Sequence, residues 1–389
     1  MAPPFPPAGP AKSPVGRYRL LAPSAGVRVS PICLGAMGFG DANKARMGEC
    51  SKETAFEILD TFKELGGNFI DTANGYQNGE SEIWLGEWMA SRKNRDELVL
   101  ATKYSGTFVP HLKDKIQANF TGNGIKSMRL SVESSLKRLQ TSYIDILYVH
   151  WWDYATTIPE LMRGLNNLVE SGKVNYLGIS DTPAWVVAKA NQYAREHNLA
   201  TFVVYQGLWN AAIRDFERDI IPMCLDEGMG LVPYGTLGQG CFQTEADFKE
   251  RERNNPGRKR QPKKIERDVS KVLETLSVRK NTKLTSVAMA YVVAKAPYVF
   301  PLVGCRTLEH LKSNIDALTV SVDEEEVAQI DLASNFDPGF PHTFLSGTLF
   351  GAEGTVQEPP HGPGDVWLTS AIANFDWVEA PKPIRPAQK

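Results

Sequence analysis

Eight short apolar runs, separated by longer amphipathic stretches, constrain this chain more than any other feature. The runs are Ile32–Leu34, Asn68–Asp71, Leu98–Thr102, Ile144–Val149, Tyr176–Ile179, Phe202–Tyr205, Gly230–Pro233 and Tyr298–Val303. They are rich in β-branched and large apolar residues and lack the polar alternation of a half-exposed strand. Parallel strands buried on both faces read this way. Between them lie helix-like segments. Ser51–Gly66 opens on a capping serine and closes on a glycine, and Phe56, Leu59, Phe62 and Leu65 recur along one face. Ser127–Leu139, Pro159–Ser171, Pro183–His197, Asp215–Glu227, Thr285–Ala296 and Thr307–Ala317 follow the same pattern, with Pro159 and Pro183 suited to a first helical turn.

Strands alternating with helices leave two α/β solutions, an open doubly wound sheet or a closed barrel. The first run leads into LGAMGFG, whose glycine spacing is not the GxGxxG of a dinucleotide-binding open sheet. The balance tips to a (β/α)8 TIM barrel over residues 18–335. Residues 1–17 read as a flexible proline-rich leader, with no apolar stretch of the secretory-signal type. Residues 336–389 read as a Pro- and Gly-rich tail carrying Trp367, Phe375 and Trp377, either loosely ordered or laid across the barrel mouth. The segment 241–268 is dense in charge, but acids interrupt its basic run, so a solvated loop over the mouth is expected and not a nucleic-acid site.

Bulk properties narrow the partners. A net charge of −2 gives no general attraction to nucleic acid or anionic membranes. No apolar run reaches membrane-spanning length, so a cytoplasmic protein is the default expectation. The five cysteines, Cys33, Cys50, Cys224, Cys241 and Cys305, form no CxxC pair, which argues against a disulfide framework or a zinc site and for a reducing compartment. Oligomeric state is not legible.

Four residues carry the chemistry. Asp71 ends one apolar run and Tyr76 follows it on a loop; Lys103 and His150 close the next two. The active site of a barrel lies at the C-terminal ends of its strands, so all four fall on that side. Singly, each has an ordinary structural explanation; together, at three successive strand ends, they match carbonyl reduction. That reaction needs a hydride donor and a proton for the developing alkoxide. A tyrosine holds its proton at neutral pH, a neighbouring lysine cation lowers its pKa, a buried aspartate keeps that lysine charged, and a histidine orients the carbonyl oxygen. His150 and Asp71 also suit a metal-dependent hydrolase, but no His-x-His pair accompanies them, so no metal is expected.

Asp-x4-Tyr followed by strand-end Lys and strand-end His resembles the catalytic tetrad of the aldo-keto reductases. The likeness runs from about Tyr18 to Asp331. The phrases FIDTANGYQNGESE, YIDILYVHWWD, VNYLGISD and PLVGCRTLEHLKSNI resemble the aryl-alcohol dehydrogenase branch, and within it the norsolorinic acid reductase-like enzymes of fungal secondary metabolism. The resemblance implies an NADPH-dependent reductase of a small carbonyl compound, aryl or polycyclic. It places the nicotinamide carboxamide at Ser180, Asp181 and Gln206, with Tyr234 against the ring. Asp181 stands where the family often has Asn, and an aspartate accepts from the amide without donating to it. Gly235, Leu237, Gln239 and Gly240 of the GTLGQG loop would approach the pyrophosphate. Arg306, His310 and Asn314 would surround the adenosine 2′-phosphate and adenine, with His310 where the family often has Arg. Met37, Trp152 and Trp209 are candidates for an aromatic substrate wall. The potassium-channel β subunits share this architecture, so a cofactor-binding regulatory module is the alternative.

Overall fold

The computed structural model describes residues 5, 8–254, 261–350, 368 and 381–386. Among these residues ten strands run in chain order: β1 Arg19–Ala22, β2 Ala25–Val29, β3 Cys33–Gly35, β4 Phe69–Asp71, β5 Val99–Tyr104, β6 Ile144–Val149, β7 Val174–Ser180, β8 Phe202–Leu208, β9 Gly230–Tyr234 and β10 Leu302–Gly304. The last eight form one sheet in the order β10-β3-β4-β5-β6-β7-β8-β9, every pair parallel. The two free edges meet through the residues ahead of β10. Leu231 N donates to Tyr298 O at 2.9 Å and Phe300 N to Leu231 O at 2.8 Å. The sheet therefore closes as the (β/α)8 barrel that the eight apolar runs predict, and all residues of β5 and β6 are buried.

β1 and β2 form an antiparallel hairpin outside the barrel that the sequence reading did not anticipate. Leu21, Ala22, Ala25 and Val29 pack with inward-facing Phe69, Ile146, Val204 and Phe300, so the hairpin plugs the N-terminal face. Its strands mix exposed and buried residues and lack the continuous apolar signal of the barrel strands. Ordered structure also reaches into the expected leader. Pro14–Gly16 form a 3-10 turn that buries Val15 completely, and Ser13 Oγ donates to Leu65 O at 2.8 Å.

The expected helices form with shifted ends. Ser51 caps Lys52–Glu64 through Thr54 N, and the buried face is Ala55, Ile58, Leu59 and Phe62. Ile125–Arg138, Ile158–Glu170, Ala184–Glu196, Ile220–Asp226, Leu284–Lys295 and Leu308–Asp316 complete the alternation. Pro159 lies in a first turn as expected, whereas Pro183 is the N-cap itself. Helix Glu80–Arg92 escaped the periodicity reading because its inner face mixes Ser81 and Glu82 with Trp84, Leu85 and Trp88. Glu82 is fully buried and satisfied by Thr102 Oγ1 at 2.7 Å and Arg138 Nη1 at 3.3 Å.

The charged segment 241–268 is not simply a loop. Glu245–Asn254 is helical, and from Lys264 the chain enters helix Lys264–Arg279, whose Val269, Leu273 and Leu276 are buried. Surface charge between those apolar positions masked the spacing. Residues 255–260 of the segment lie outside the described residues. The start of the tail is docked: Arg218 donates to the carbonyls of Asp337 and Pro338, and Phe336 sits under the guanidinium groups of Arg214 and Arg218. Trp367, Phe375 and Trp377 lie outside the described residues.

One close approach sets how two helices beside the site pack. A Cβ on Gly86 would lie 2.1 Å from Arg138 O and 2.8 Å from Leu139 C, both backbone atoms that cannot swing away. Gly86→Ala is therefore expected to destabilise the protein by about 1–3 kcal/mol, the usual range for overpacking. Gly26→Ala, which meets nothing within 4 Å, should stay within about 0.5 kcal/mol. Denaturant unfolding of the two variants checks the pair.

Candidate active site

Three strand ends bring the four predicted residues together at the C-terminal mouth. Asp71 ends β4, Lys103 is the penultimate residue of β5, and His150 follows β6. Tyr76 opens a 3-10 turn, Tyr76–Gly79, in which Gln77 (φ 52°) and Asn78 (φ 56°) are left-handed. Gln77 anchors that turn: its side chain accepts from Asn43 N at 2.7 Å and donates to Met37 O at 3.1 Å.

Lys103 is 0% exposed and its ammonium is fully engaged. It donates to Asp71 Oδ1, to Thr72 O at 2.7 Å and to Tyr76 Oη at 3.5 Å. The other Asp71 oxygen accepts from Gln206 Nε2 at 3.0 Å. Burial works against the lysine charge, but Asp71 and Tyr76 outweigh it and hold the ammonium pKa above its ordinary value. Burial pushes Asp71 up, with Lys103 pulling it back.

Tyr76 corrects one expectation. Lys103 does pull its pKa down, but burial pushes harder in the opposite direction, and the phenol sits above its ordinary value. It is thus fully protonated at neutral pH. The Tyr76 and His150 rings meet edge to face with centroids 5.8 Å apart. Burial, and then the Lys103 charge, push the His150 imidazole down to about 3, so it is neutral in the physiological range. A neutral imidazole and a protonated phenol face one opening, with a fixed cation behind the phenol. An oxygen placed there can accept a hydrogen bond from one and a proton from the other, and Lys103 stabilises the phenolate that remains.

The opposite side of the mouth is formed by β7, β8 and β9. Asp181, left-handed at φ 40°, donates its backbone N–H to Gln206 O at 3.1 Å, and its carboxylate accepts from Tyr234 Oη at 3.1 and 3.2 Å. Asp181 stands at the open edge, yet surrounding protein, more than any charge, pushes its carboxyl up to about 6. Ser180 is buried, and its Oγ has no hydrogen-bond partner among the described residues; the same holds for Thr236 Oγ1. An orphaned buried hydroxyl is costly and suits a polar ligand. Thr236 lies in the GTLGQG loop but was not singled out from sequence. Gly235, Gly238, Gln239 and Gly240 of that loop all have φ between 52° and 83°. Leu237 packs against the apolar cluster beneath.

Arg306 and His310 are exposed at the start of Leu308–Asp316, whose N-cap is Thr307. The Arg306 guanidinium lies across the first loop: a Cβ on Gly48 would fall 1.7 Å from its Nη1. No acidic partner holds it among the described residues, so the ion pair with Glu309 that would make it merely structural is not formed. Asn314 is set deeper, buried and donating to Cys305 Sγ at 3.5 Å.

The aromatic wall needs correcting. Trp209 is 0% exposed, stacks on Phe216 and donates to Glu217 Oε1 at 3.1 Å, so it cannot touch a substrate. Trp152 is half-buried and packs against the main core. Its neighbour Trp151, which sequence reasoning missed, is 40% exposed with its ring 4.8 Å from that of His150. Its ring edge lies close over Gly106, where a Cβ would come within 2.9 Å of the indole. Consecutive tryptophans after a strand point to different sides, and only the fold decides which faces the mouth. Met37 is 40% exposed and remains a rim residue.

All five cysteines are buried free thiols. Among the described residues no cluster of three His, Cys, Asp or Glu side chains is placed to hold a metal, and no helix is long and apolar enough to cross a membrane.

A closed parallel barrel with a protonated phenol, a buried ammonium and a neutral imidazole at its mouth defines an oxidoreductase class, and the chain belongs to the aldo/keto reductase family, which residues 31–335 match. It is 67% identical to norsolorinic acid reductase B of Dothistroma septosporum over 371 residues, covering 95% of this chain and 94% of that protein. It is 61% identical to norsolorinic acid reductase B of Aspergillus parasiticus over 378 residues, 96% of this chain and 98% of that protein. An aryl-alcohol dehydrogenase of Pestalotiopsis microspora is 53% identical over 389 residues, 99% of this chain and 97% of that protein. These relatives bear enzyme names, and the chain is an oxidoreductase of this family.

Replacing Lys103 separates an engaged buried cation from a surface one. Lys103→Met leaves Asp71 buried beside a thioether, and uncompensated buried charges cost about 3–5 kcal/mol. Thermal unfolding should show a clear drop in melting temperature together with loss of turnover. An unchanged melting temperature would contradict the buried pair.

Proposed function

We propose that this protein reduces an aldehyde or ketone to the alcohol with NADPH, and that Tyr76 is the proton donor. The observation that carries this reading is the contact chain Gln206–Asp71–Lys103–Tyr76 facing neutral His150. NADPH, when bound, supplies the hydride. The chain's own residues do the rest. His150 and Tyr76 orient the carbonyl oxygen, Tyr76 Oη releases its proton to that oxygen, and Lys103 holds the phenolate until a new proton arrives. Asp71 keeps Lys103 charged and in place.

The orphaned hydroxyls of Ser180 and Thr236 support a polar ligand along β7 and the GTLGQG loop. Ser180, Asp181 and Gln206 would hold its carboxamide, Tyr234 its ring, the 235–240 loop its pyrophosphate, and His310 and Asn314 the adenosine. The uncommitted Arg306, at a helix start where an anion is already favoured, would read the 2′-phosphate. The exposed Trp151 platform beside His150 favours a flat substrate. With relatives named for norsolorinic acid and aryl alcohols, we assign an aryl or polycyclic aromatic carbonyl of secondary metabolism.

Two experiments test the reading. Tyr76→Phe removes only the phenolic oxygen and should cut turnover of an aryl aldehyde by about 10²-fold or more, while fluorescence titration shows NADPH still binding; a folded variant with near-normal turnover would refute the donor role. Arg306→Ala should raise the NADPH dissociation constant about 10- to 100-fold, leave NADH nearly unchanged, and lose its effect at high salt. Equal losses for both cofactors would mean that Arg306 supports the loop and does not read the phosphate.

A further inference from the structure

The mouth holds a second carboxylate that the proton-transfer scheme does not use. Asp71 is committed to Lys103 and Gln206. Asp181 is joined to the same group through Gln206, whose backbone carbonyl accepts from Asp181 N at 3.1 Å while its side chain donates to Asp71 at 3.0 Å; the Asp181 charge raises Tyr76, and the Lys103 charge lowers Asp181. Its position is fixed from three directions. Its N–H is bound to Gln206 O, its carboxylate receives Tyr234 Oη, and the following residue is clamped by Tyr205, whose hydroxyl takes Thr182 N at 3.0 Å and donates to Thr182 O at 2.7 Å. A neutral residue would satisfy Tyr234 equally well. A charged group held at such an edge has an electrostatic consequence for whatever binds beside it.

On the cofactor reading above, the redox ring must lie within reach of a carbonyl carbon whose oxygen is at Tyr76, and therefore between the Tyr76 side and the Ser180–Asp181 side. The oxidised nicotinamide ring carries a positive charge that the reduced ring lacks. We propose that Asp181 sets the redox bias of the bound cofactor: its carboxylate, held at the mouth by Tyr234, favours the cationic oxidised form over the neutral reduced form. The bound reduced cofactor is thereby made a stronger hydride donor, and Asp181 is a positioning charge that takes no proton from the substrate.

The bias has a defined pH window. Although Asp181 stands at the open edge, the protein around its carboxyl pushes it up to about 6, so it is ionised above that pH and neutral below it. The groups facing it titrate elsewhere. His150 is pushed down to about 3; Tyr76, Tyr205 and Tyr234 are raised above the ordinary phenol value; Lys103 is raised above the ordinary amine value. Asp71, also raised, is the remaining carboxyl, and the Asn variant at 181 leaves it untouched.

The test measures the dissociation constants of NADP+ and NADPH by tryptophan fluorescence, on wild type and Asp181→Asn, from pH 8 to pH 5. Asn tolerates the left-handed backbone and keeps an acceptor for Tyr234, so the variant should fold. At pH 8 the substitution is expected to raise the ratio Kd(NADP+)/Kd(NADPH) about 10-fold, the scale of one unit charge at a partly solvated distance. In the wild type the same ratio should rise about 10-fold as pH falls through about 6, while the variant stays flat. The 2′-phosphate is common to both cofactors, so its own titration cancels in the ratio. Two bound cofactors with an unchanged ratio in the variant, or a pH-independent ratio in the wild type, would overturn this inference alone. A wild-type protein that binds neither cofactor would overturn the reductase reading and this inference with it.

Discussion

The ion pair between Lys103 and Asp71 is the interaction on which the mouth of the barrel depends. Two charges taken out of water cost several kcal/mol each unless their partners are well placed. Here the sheet meets that condition. β4 and β5 are adjacent and parallel, in register from Phe69↔Val99 to Asp71↔Ala101, so strand-end side chains two residues apart along the sheet meet above the core. Thr72 O and Tyr76 Oη take the other two ammonium donors, and Gln206 Nε2 donates to the second Asp71 oxygen. Such a pair contributes less to net stability than to specificity: it can be satisfied only when β4, β5 and β8 are all in place, so the barrel and the site form together.

Burial, more than any single neighbour, tunes this site. It is the largest cause behind the raised phenol of Tyr76, the lowered imidazole of His150 and the raised carboxyl of Asp181. A low-dielectric mouth disfavours charge wherever no partner offsets it. Only Lys103 escapes, because Asp71 sits against it. The result is a protonated phenol and a neutral imidazole around one fixed cation. That arrangement stores little charge before the reaction and can stabilise charge as it develops.

Outside the mouth, a second buried network ties the site to the C-terminal part of the chain. Arg214 and Lys295 each pair with both Glu217 and Asp331, at 2.7–3.2 Å, across the loop after β8 and helices Leu284–Lys295 and Glu324–Ser334. Glu217 also holds Trp209, and Arg214 donates to Ser334 Oγ at 3.0 Å. Trp209, a candidate for the substrate wall, is a core residue instead, and the buried Glu217 supplies the acceptor that its indole N–H needs.

Much of this was legible in the chain. Eight short apolar runs, each too brief for a buried helix and alternating with amphipathic segments, report strands buried on both faces, and a polar residue ending such a run falls at the rim. Asp71, Lys103 and His150 followed from that logic, as did the position of Tyr76. The β1–β2 hairpin, helix Glu80–Arg92 and helix Lys264–Arg279 did not, because mixed or charge-masked faces leave no single periodicity to read. Local pattern is set by what each residue excludes from water. Which tryptophan faces the mouth, which hydroxyl stays unpaired, and whether burial or a cation governs Tyr76 depend on neighbours far apart in the chain, and only the closed barrel brings those neighbours together.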